Sequence, residues 1–207
     1  MSGASPTHDE VVRDLPLLRP TPASWAEIAA DHLPTFLADH GVCEQQAALT
    51  ALNLVAHYPE DDELAIRMTA LAAEELSHLR RVLRLLHSRG LRLGRRRPNP
   101  YVNGLRSRMK TRQEPDLKTD KLLVGALIEA RSCERFTCLL AVLEGRDPEV
   151  AELLRDLGPA EKRHWQMFYA LARRDSSQER LEARWRTWLE WENELMSGLG
   201  NCPTVHG

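Results

Sequence analysis

Apolar residues recur at intervals of three and four along most of the chain, which is the spacing of one face of an α-helix. Over residues 35–57 they form a stripe of Ala47, Ala48, Ala51, Leu52 and Val55. Similar stripes predict helices over about 60–89, 117–144, 147–174 and a tryptophan-bearing segment that ends near Gly198. No segment alternates between apolar and polar residues as a half-buried strand does. The pattern predicts an all-α fold.

Proline and glycine mark the ends of these predicted helices. Pro59 ends the first long helix, because the residue before a proline disfavours the helical conformation. Gly90 suits the C-terminal end of the next helix. We expect a kink at residues 158–159, where glycine and proline interrupt the fourth long segment. A short helix is predicted to follow Ser24 and to end near Pro34.

The composition divides the chain into an arm, a helical domain and a tail. Residues 1–21 are polar and proline-rich, and we expect a surface arm there, followed by one domain over residues 22–200. Within that domain, three glycines and three prolines in residues 90–116 interrupt any long helical period and predict a long crossover. Residues 201–207 are expected to form a C-terminal tail.

Length and charge exclude several classes of protein. With 207 residues and a formal net charge of −2, the chain can bury one sizeable core and carries no strong overall field. No stretch of about 18 apolar residues predicts a membrane span, and the N-terminus lacks the apolar region of a secretory signal. None of the four cysteines forms a C-x-x-C pair, which favours free thiols in a reducing compartment. We therefore expect a cytoplasmic protein without membrane contacts.

Two Glu-x-x-His motifs carry the most specific chemical signal. They consist of Glu75 with His78 and of Glu161 with His164. Residues three apart lie on one helix face, so each carboxylate and imidazole can reach the same ion. Such ligands suit iron or manganese better than the metals that prefer thiolates. One short motif of this kind can occur by chance, so the interpretation depends on the surrounding residues.

Each motif lies on the apolar stripe of its helix and has an acidic partner on the preceding helix. Glu44 precedes Glu75 by 31 positions, and Glu129 precedes Glu161 by 32. A carboxylate on a core face is costly unless it is paired or binds metal. One Glu from each of two helices, with Glu-x-x-His from each of two others, is the ligand set of ferritin-like di-iron bundles. That fold also requires one long crossover, for which residues 90–116 suffice.

The third long helix offers two glutamates, Glu129 and Glu134, of which only one can face the metals. They project about 140° apart, because five residues separate them at 3.6 residues per turn. Glu129 shares its face with small and apolar residues, whereas Glu134 shares its face with Arg131 and Thr137. We therefore predict that Glu129 is the ligand and that Glu134 lies on a wetter side of the helix.

Four segments together resemble a known family. DHGVCEQQAALTALNL, AAEELSHLRRV, LIEARSCERF and EKRHWQMFYALA are similar to the tRNA 2-methylthio-isopentenyladenosine hydroxylases, the MiaE family, over about residues 25–195. The resemblance implies a ferritin-like four-helix bundle with a long crossover and additional N- and C-terminal helices. It implies an O₂-dependent di-iron monooxygenase that hydroxylates the isopentenyl group of the modified adenosine next to the tRNA anticodon.

The same resemblance implies the cofactors and their ligands. Two iron ions would form a non-haem centre with O₂ as co-substrate, and electrons would come from an external reductase or ferredoxin that the sequence does not identify. The iron ligands, which are also the catalytic residues, would be Glu44, Glu75, His78, Glu129, Glu161 and His164.

Basic residues concentrate around the predicted crossover. Of the chain's 28 basic residues, 14 fall between Arg80 and Lys121, against only three acidic ones. A near-neutral protein with one such patch suits a polyanion, since phosphate contacts supply most non-specific affinity. One aromatic residue in the patch could stack on a base. The predicted tRNA contacts are Arg95, Arg96, Arg97, Tyr101, Arg106, Arg108, Lys110 and Arg112.

Other functions are compatible with parts of this pattern. A ferritin-like protein could store iron or scavenge peroxide, and a manganese catalase is chemically possible. A non-enzymatic RNA-binding helical module would use the basic patch without the metals. Metal analysis separates these alternatives, because the enzyme requires about two irons per chain and the module requires none.

Overall fold

The computed structural model of the chain describes residues 14–95, 97–109 and 114–206. In these residues the helices are α1 (Ala23–Asp31), α2 (Leu33–His57), α3 (Asp62–Ser88), α4 (Pro100–Ser107), α5 (Asp116–Leu143), α6 (Pro148–Arg174) and α7 (Gln178–Gly198). No strand occurs among the described residues, so the predicted all-α class is confirmed. None of the described helices has both the length and the apolar character needed to cross a bilayer.

The helix ends agree with the predicted boundaries to within a few residues, with two exceptions. Pro34 lies in the first turn of α2, where a missing N–H is tolerated, rather than at the end of a short helix. Helix α4 lies inside the predicted crossover and was not expected. It is only eight residues long and is capped by Asn99, whose side chain accepts from Val102 N. Gly90 follows α3 with a φ of 68°, which is the left-handed conformation that a glycine at the C-terminal end of a helix adopts.

The chain divides into two compact units. The first, here called the α2–α3 unit, contains Asp31–Pro98 and Pro203–Val205. Helices α2 and α3 form a hairpin whose apolar stripes face each other. Gly41 permits a close approach in this hairpin, because a Cβ there would lie 3.3 Å from Val82 Cγ1 and 2.6 Å from Leu93 Cδ1.

The second, here called the α5–α6 unit, contains Met1–Ala30, Asn99–Cys202 and His206–Gly207. Helix α5 packs against α4, α6 and α7, and it is buried on almost every side between Leu122 and Phe136. It approaches α6 closely at Gly125, where a Cβ would lie 2.9 Å from Phe168 Cε1. A helix buried all round must also bury its polar residues, and α5 does so.

Candidate metal centre

The α2–α3 unit brings three predicted ligands together. Glu44 on α2 and Glu75 and His78 on α3 each offer an atom within 4.8 Å of the others. His78 Nδ1 lies 3.3 Å from Glu75 Oε2 and 3.6 Å from Glu44 Oε2. All three side chains are buried. We call this group the first triad.

The local sequence explains why the first triad forms. Glu75 and His78 are three residues apart, so they share the face of α3 that carries Leu71 and Val82 into the hairpin core. On α2 the next two buried positions after Glu44 are Ala48 and Ala51, both with small side chains.

The electrostatics of the first triad favour a bound cation. Burial raises the pKa of Glu44 well above its usual range, and the neighbouring carboxylate of Glu75 raises it further. For His78, burial lowers the pKa, but the hydrogen bonds and charges of Glu44 and Glu75 outweigh it and raise the pKa to about 9. Buried carboxylates this close to each other need a proton or a metal between them. Two carboxylates and an imidazole therefore fit a divalent iron or manganese ion.

The far side of the His78 ring also has a partner. Its Nε2 lies 3.9 Å from Glu74 Oε1, while Nδ1 faces the two buried carboxylates. Histidine ligands commonly direct their second nitrogen to a carboxylate, which fixes the ring orientation. At 3.9 Å the two atoms are too far apart for a hydrogen bond, so Glu74 contributes a nearby negative charge on this side of the ring.

The α5–α6 unit brings together the other three predicted ligands. Glu129 on α5 and Glu161 and His164 on α6 each offer an atom within 4.8 Å of the others, and all three are buried. His164 Nδ1 lies 3.8 Å from Glu129 Oε2. We call this group the second triad. Its donor set is the same as that of the first, and it fits the same metals.

The prediction that Glu129 rather than Glu134 faces the metal position agrees with the geometry. The expectation that Glu134 lies on a solvent-exposed side of α5 is wrong. Glu134 is only 1% exposed and lies outside the second triad. Its carboxylate accepts from Arg131 Nη1 at 2.6 Å and from Thr21 N and Oγ1 at 2.5 and 2.6 Å. The segment before α1 covers this face of α5, and the periodicity of α5 alone could not reveal that cover.

The same polar cluster explains why Tyr101 cannot stack on a base at the protein surface. Tyr101 is fully buried and donates to Glu192 Oε1 at 3.1 Å, and its ring stacks on His206 at 5.5 Å. Arg131 Nη2 donates to the same Glu192 oxygen at 2.6 Å. The expectation of a surface aromatic was wrong, because Tyr101 belongs to the unpredicted helix α4 and faces its core.

The remaining predicted tRNA contacts are only partly open to a ligand. Arg95, Arg97 and Arg106 are exposed. Arg108 forms an ion pair with Glu194 at 2.8 Å and lies over the Trp191 ring. Three further predicted contacts lie outside the described residues: Arg96, Lys110 and Arg112.

Sequence reasoning missed His40, which touches a predicted ligand. His40 is fully buried, and its Nε2 lies 2.6 Å from Glu44 Oε1. Burial lowers its pKa to about 4, so the ring is neutral at physiological pH. The signal was present in the sequence, since His40 precedes Glu44 by four residues and therefore shares its helix face.

Fold and site together define the class of protein. The chain is helical, and it buries two triads of the Glu plus Glu-x-x-His type that ferritin-like metalloproteins use. A solved structure, protein 43 with aldehyde deformylating oxygenase activity from Synechococcus, has a similar fold with a TM-score of 0.84. The two chains are 32% identical, and the match covers 92% of this chain and 95% of that one. The ferritin-like fold class is confirmed.

Comparisons at the level of sequence give the family. Residues 10–207 match the model of the tRNA-(MS2IO6A)-hydroxylase family, MiaE. A tRNA 2-(methylsulfanyl)-N(6)-isopentenyladenosine(37) hydroxylase of Pseudomonas putida is 44% identical over 74% of this chain and 73% of its own length. The protein of the same name from Salmonella typhimurium is 31% identical, over 86% and 82%. The chain belongs to the MiaE family of tRNA hydroxylases, which confirms the predicted family and class of enzyme.

Proposed function

We propose that the chain is an O₂-dependent di-iron monooxygenase that hydroxylates the isopentenyl group of 2-methylthio-isopentenyladenosine next to the tRNA anticodon. The observation that carries this proposal is the pair of buried triads in a chain of the MiaE family. Both relatives described above are named as hydroxylases of an isopentenyladenosine in tRNA, which supplies the substrate class.

The first and second triads would together hold two iron ions. Each triad has the carboxylate and imidazole donors that iron accepts, and together they supply the ligand set of ferritin-like di-iron proteins. The raised pKa of Glu44 supports a bound cation in the first triad, because a metal would replace the proton that burial otherwise retains there.

A non-haem di-iron centre supplies, when bound, the activation of O₂ that oxidises an unactivated C–H bond. In the net reaction one oxygen atom enters the C–H bond as a hydroxyl group and the other leaves as water. Two electrons and two protons are consumed, and an external reductase or ferredoxin would supply the electrons. The chain itself holds the metals, positions the substrate and limits access of water.

Exposed arginines of the α2–α3 unit support tRNA as the partner. Arg80, Arg84, Arg92 and Arg95 are exposed, and among the described residues none of them forms an ion pair. In the α5–α6 unit, by contrast, several exposed arginines pair with a carboxylate, as Arg155 does with Glu144. Unpaired guanidinium groups can contact phosphates without first losing a protein partner.

Two exposed leucines lie beside these arginines. Leu76 and Leu83 are 51% and 39% exposed, and each lies within four residues of Arg80 on α3. Arg84 follows Arg80 by one turn, so charge and apolar surface alternate along this outer face. Helix α3 also carries Glu75 and His78 on its inner face. We propose that the outer face of α3, continued by Arg92 and Arg95, binds tRNA in the cytoplasm.

The reaction itself is tested with the iron-loaded protein, a chemical reductant and tRNA that carries the isopentenyl nucleoside. With ¹⁸O₂, we expect one labelled oxygen atom in the hydroxylated nucleoside released by digestion. The His78→Ala protein serves as the inactive control. A product labelled from water, or no product with fully iron-loaded protein, would refute the proposed function. Uptake of many irons per chain without hydroxylation would favour iron storage.

The tRNA surface is tested by charge reversal with a matched control. Arg80→Glu with Arg84→Glu should weaken tRNA binding and lower the slope of log K against log salt by about one for each phosphate that the protein no longer neutralises. The control, Arg146→Glu with Arg155→Glu, makes the same change in net charge at exposed sites in the other unit. Equal effects of both pairs would show that only net charge matters, and would refute the surface on α3.

A further inference from the structure

His40 contacts one oxygen of a predicted metal ligand. Its Nε2 lies 2.6 Å from Glu44 Oε1, whereas the other oxygen of Glu44, Oε2, lies 3.6 Å from His78 Nδ1. The two oxygens of Glu44 thus face different partners. Oε1 faces His40 in the preceding turn of α2, and Oε2 faces His78 on α3.

When Glu44 is ionised, only one of the two groups can donate this hydrogen bond. A carboxylate can only accept hydrogen bonds, so His40 must donate through its Nε2–H. A donor at 2.6 Å to a charged oxygen is a strong hydrogen bond, and the site is buried, where water cannot replace it. An oxygen held in this way is less available to a metal ion.

The second triad has no equivalent of this contact among the described residues. The position one turn before Glu129 is Gly125, and the Phe168 ring occupies the space where a side chain would be, 2.9 Å from an added Cβ. Within the same part of the chain, the carboxylate of Glu129 has a close ionic contact with His164 alone. Two otherwise matching triads therefore hold their lone glutamates differently.

We propose that His40 is a positioning residue that binds Oε1 of Glu44, so that Glu44 offers only Oε2 to the metal of the first triad. The two metal positions are then unequal. Glu129 could offer both oxygens to a metal, whereas Glu44 would offer one. This inference rests on the proposed di-iron function, because it concerns a ligand of that centre.

The test is the ⁵⁷Fe Mössbauer spectrum of iron(II)-loaded protein, which reports each metal environment without turnover. The wild-type protein should show two quadrupole doublets of equal area and different splitting. His40→Leu, which removes the donor, should shift one doublet and leave the other in place. It should also lower the affinity for one of the two irons by about 10- to 100-fold, as loss of an outer hydrogen bond does. His40→Gln keeps an N–H donor and should restore the wild-type doublet.

A control separates this role from packing alone. Phe36 is fully buried and its ring lies 5.8 Å from that of His40. Phe36→Leu should lower stability but leave both doublets unchanged, because the donor remains. If His40→Leu does not fold, His40→Phe replaces it with a ring of similar shape. An unchanged spectrum in the variant without the donor, or equal shifts of both doublets, overturns the inference while the di-iron function stands. A wild-type protein that binds no iron overturns both.

Discussion

The two units of the molecule repeat one set of candidate metal ligands in different surroundings. In the α2–α3 unit, the turn before the lone glutamate carries His40, which binds Glu44 at 2.6 Å. In the α5–α6 unit, the corresponding turn carries Gly125, and Phe168 fills the space beside it. The donor atoms of the triads are the same, but the residues beside the two lone glutamates differ.

The units also differ in how they use arginine. The α5–α6 unit buries Arg131 completely and satisfies it with Glu134 and Glu192 at 2.6 Å each. The α2–α3 unit leaves Arg80 and Arg84 exposed and, among the residues that the structure describes, without ion pairs. Arginine therefore supports the fold in one unit and is available to a polyanionic partner in the other.

The largest expected effect is the loss of a ligand from either triad. His78→Ala and His164→Ala should each lower the iron content and abolish hydroxylation, because each leaves one metal with too few donors. Circular dichroism should show that both proteins remain helical. Full activity in either variant would remove that triad from the site.

The next effect contrasts two glutamates of α5. Glu134→Ala should lower the free energy of unfolding by about 3–5 kcal/mol, because Arg131 is left buried with one fewer partner. Iron loading of the folded protein should be unchanged. Glu129→Ala should do the opposite, with loss of metal but little loss of stability in the metal-free protein. Urea unfolding and metal analysis measure both quantities, and the reverse pattern would place Glu134 in the site.

A smaller effect compares the two glycines that permit close helix packing. Gly125→Ala pushes against the buried ring of Phe168 and should cost about 1–3 kcal/mol. Gly41→Ala meets chiefly the end of the flexible Leu93 side chain, so we expect a smaller loss in thermal denaturation. A larger loss for Gly41→Ala would mean that the α2–α3 unit is the more tightly packed of the two.

The smallest effect is the pH dependence of the metal-free protein. The pKa of His78 is raised from 6.5 to about 9 in the folded state, so its contribution to stability is complete below pH 6.5 and is lost as the pH rises through 9. The raised pKa of Glu44 acts in the same direction. We expect the free energy of unfolding to fall over this interval, as measured by urea unfolding at a series of pH values. The loss should be smaller in metal-free His78→Ala, and an equal loss there would assign it to other groups.

Much of the fold could be predicted because its signals are local. Helical periodicity, proline positions and Gly90 located the long helices to within a few residues. Helix α4 was not predicted, because a helix of about two turns is too short for its apolar spacing to repeat recognisably among glycines and prolines. The residues that meet in each triad could be predicted, because their spacing places them on apolar stripes, where a charged residue requires an explanation.

The errors concern contacts between segments that are distant in sequence. The neighbours of Glu134 on α5 include Arg131 and predict a solvent-exposed face. That face is instead buried, because Thr21, far away in sequence, hydrogen-bonds to Glu134, and Glu192 accepts from Arg131. The surface position predicted for Tyr101 is wrong for the same reason. His40 is different, since its spacing from Glu44 was visible and only its chemistry was overlooked.

The central proposal is that the chain binds a di-iron centre, and the magnetic coupling of the bound irons tests it most directly. Protein oxidised to the ferric state should contain about two irons per chain, with no electron paramagnetic resonance signal from the coupled pair and a diamagnetic Mössbauer spectrum at low temperature. Strong high-spin ferric signals that account for all the iron would show isolated ions, and would contradict a di-iron centre.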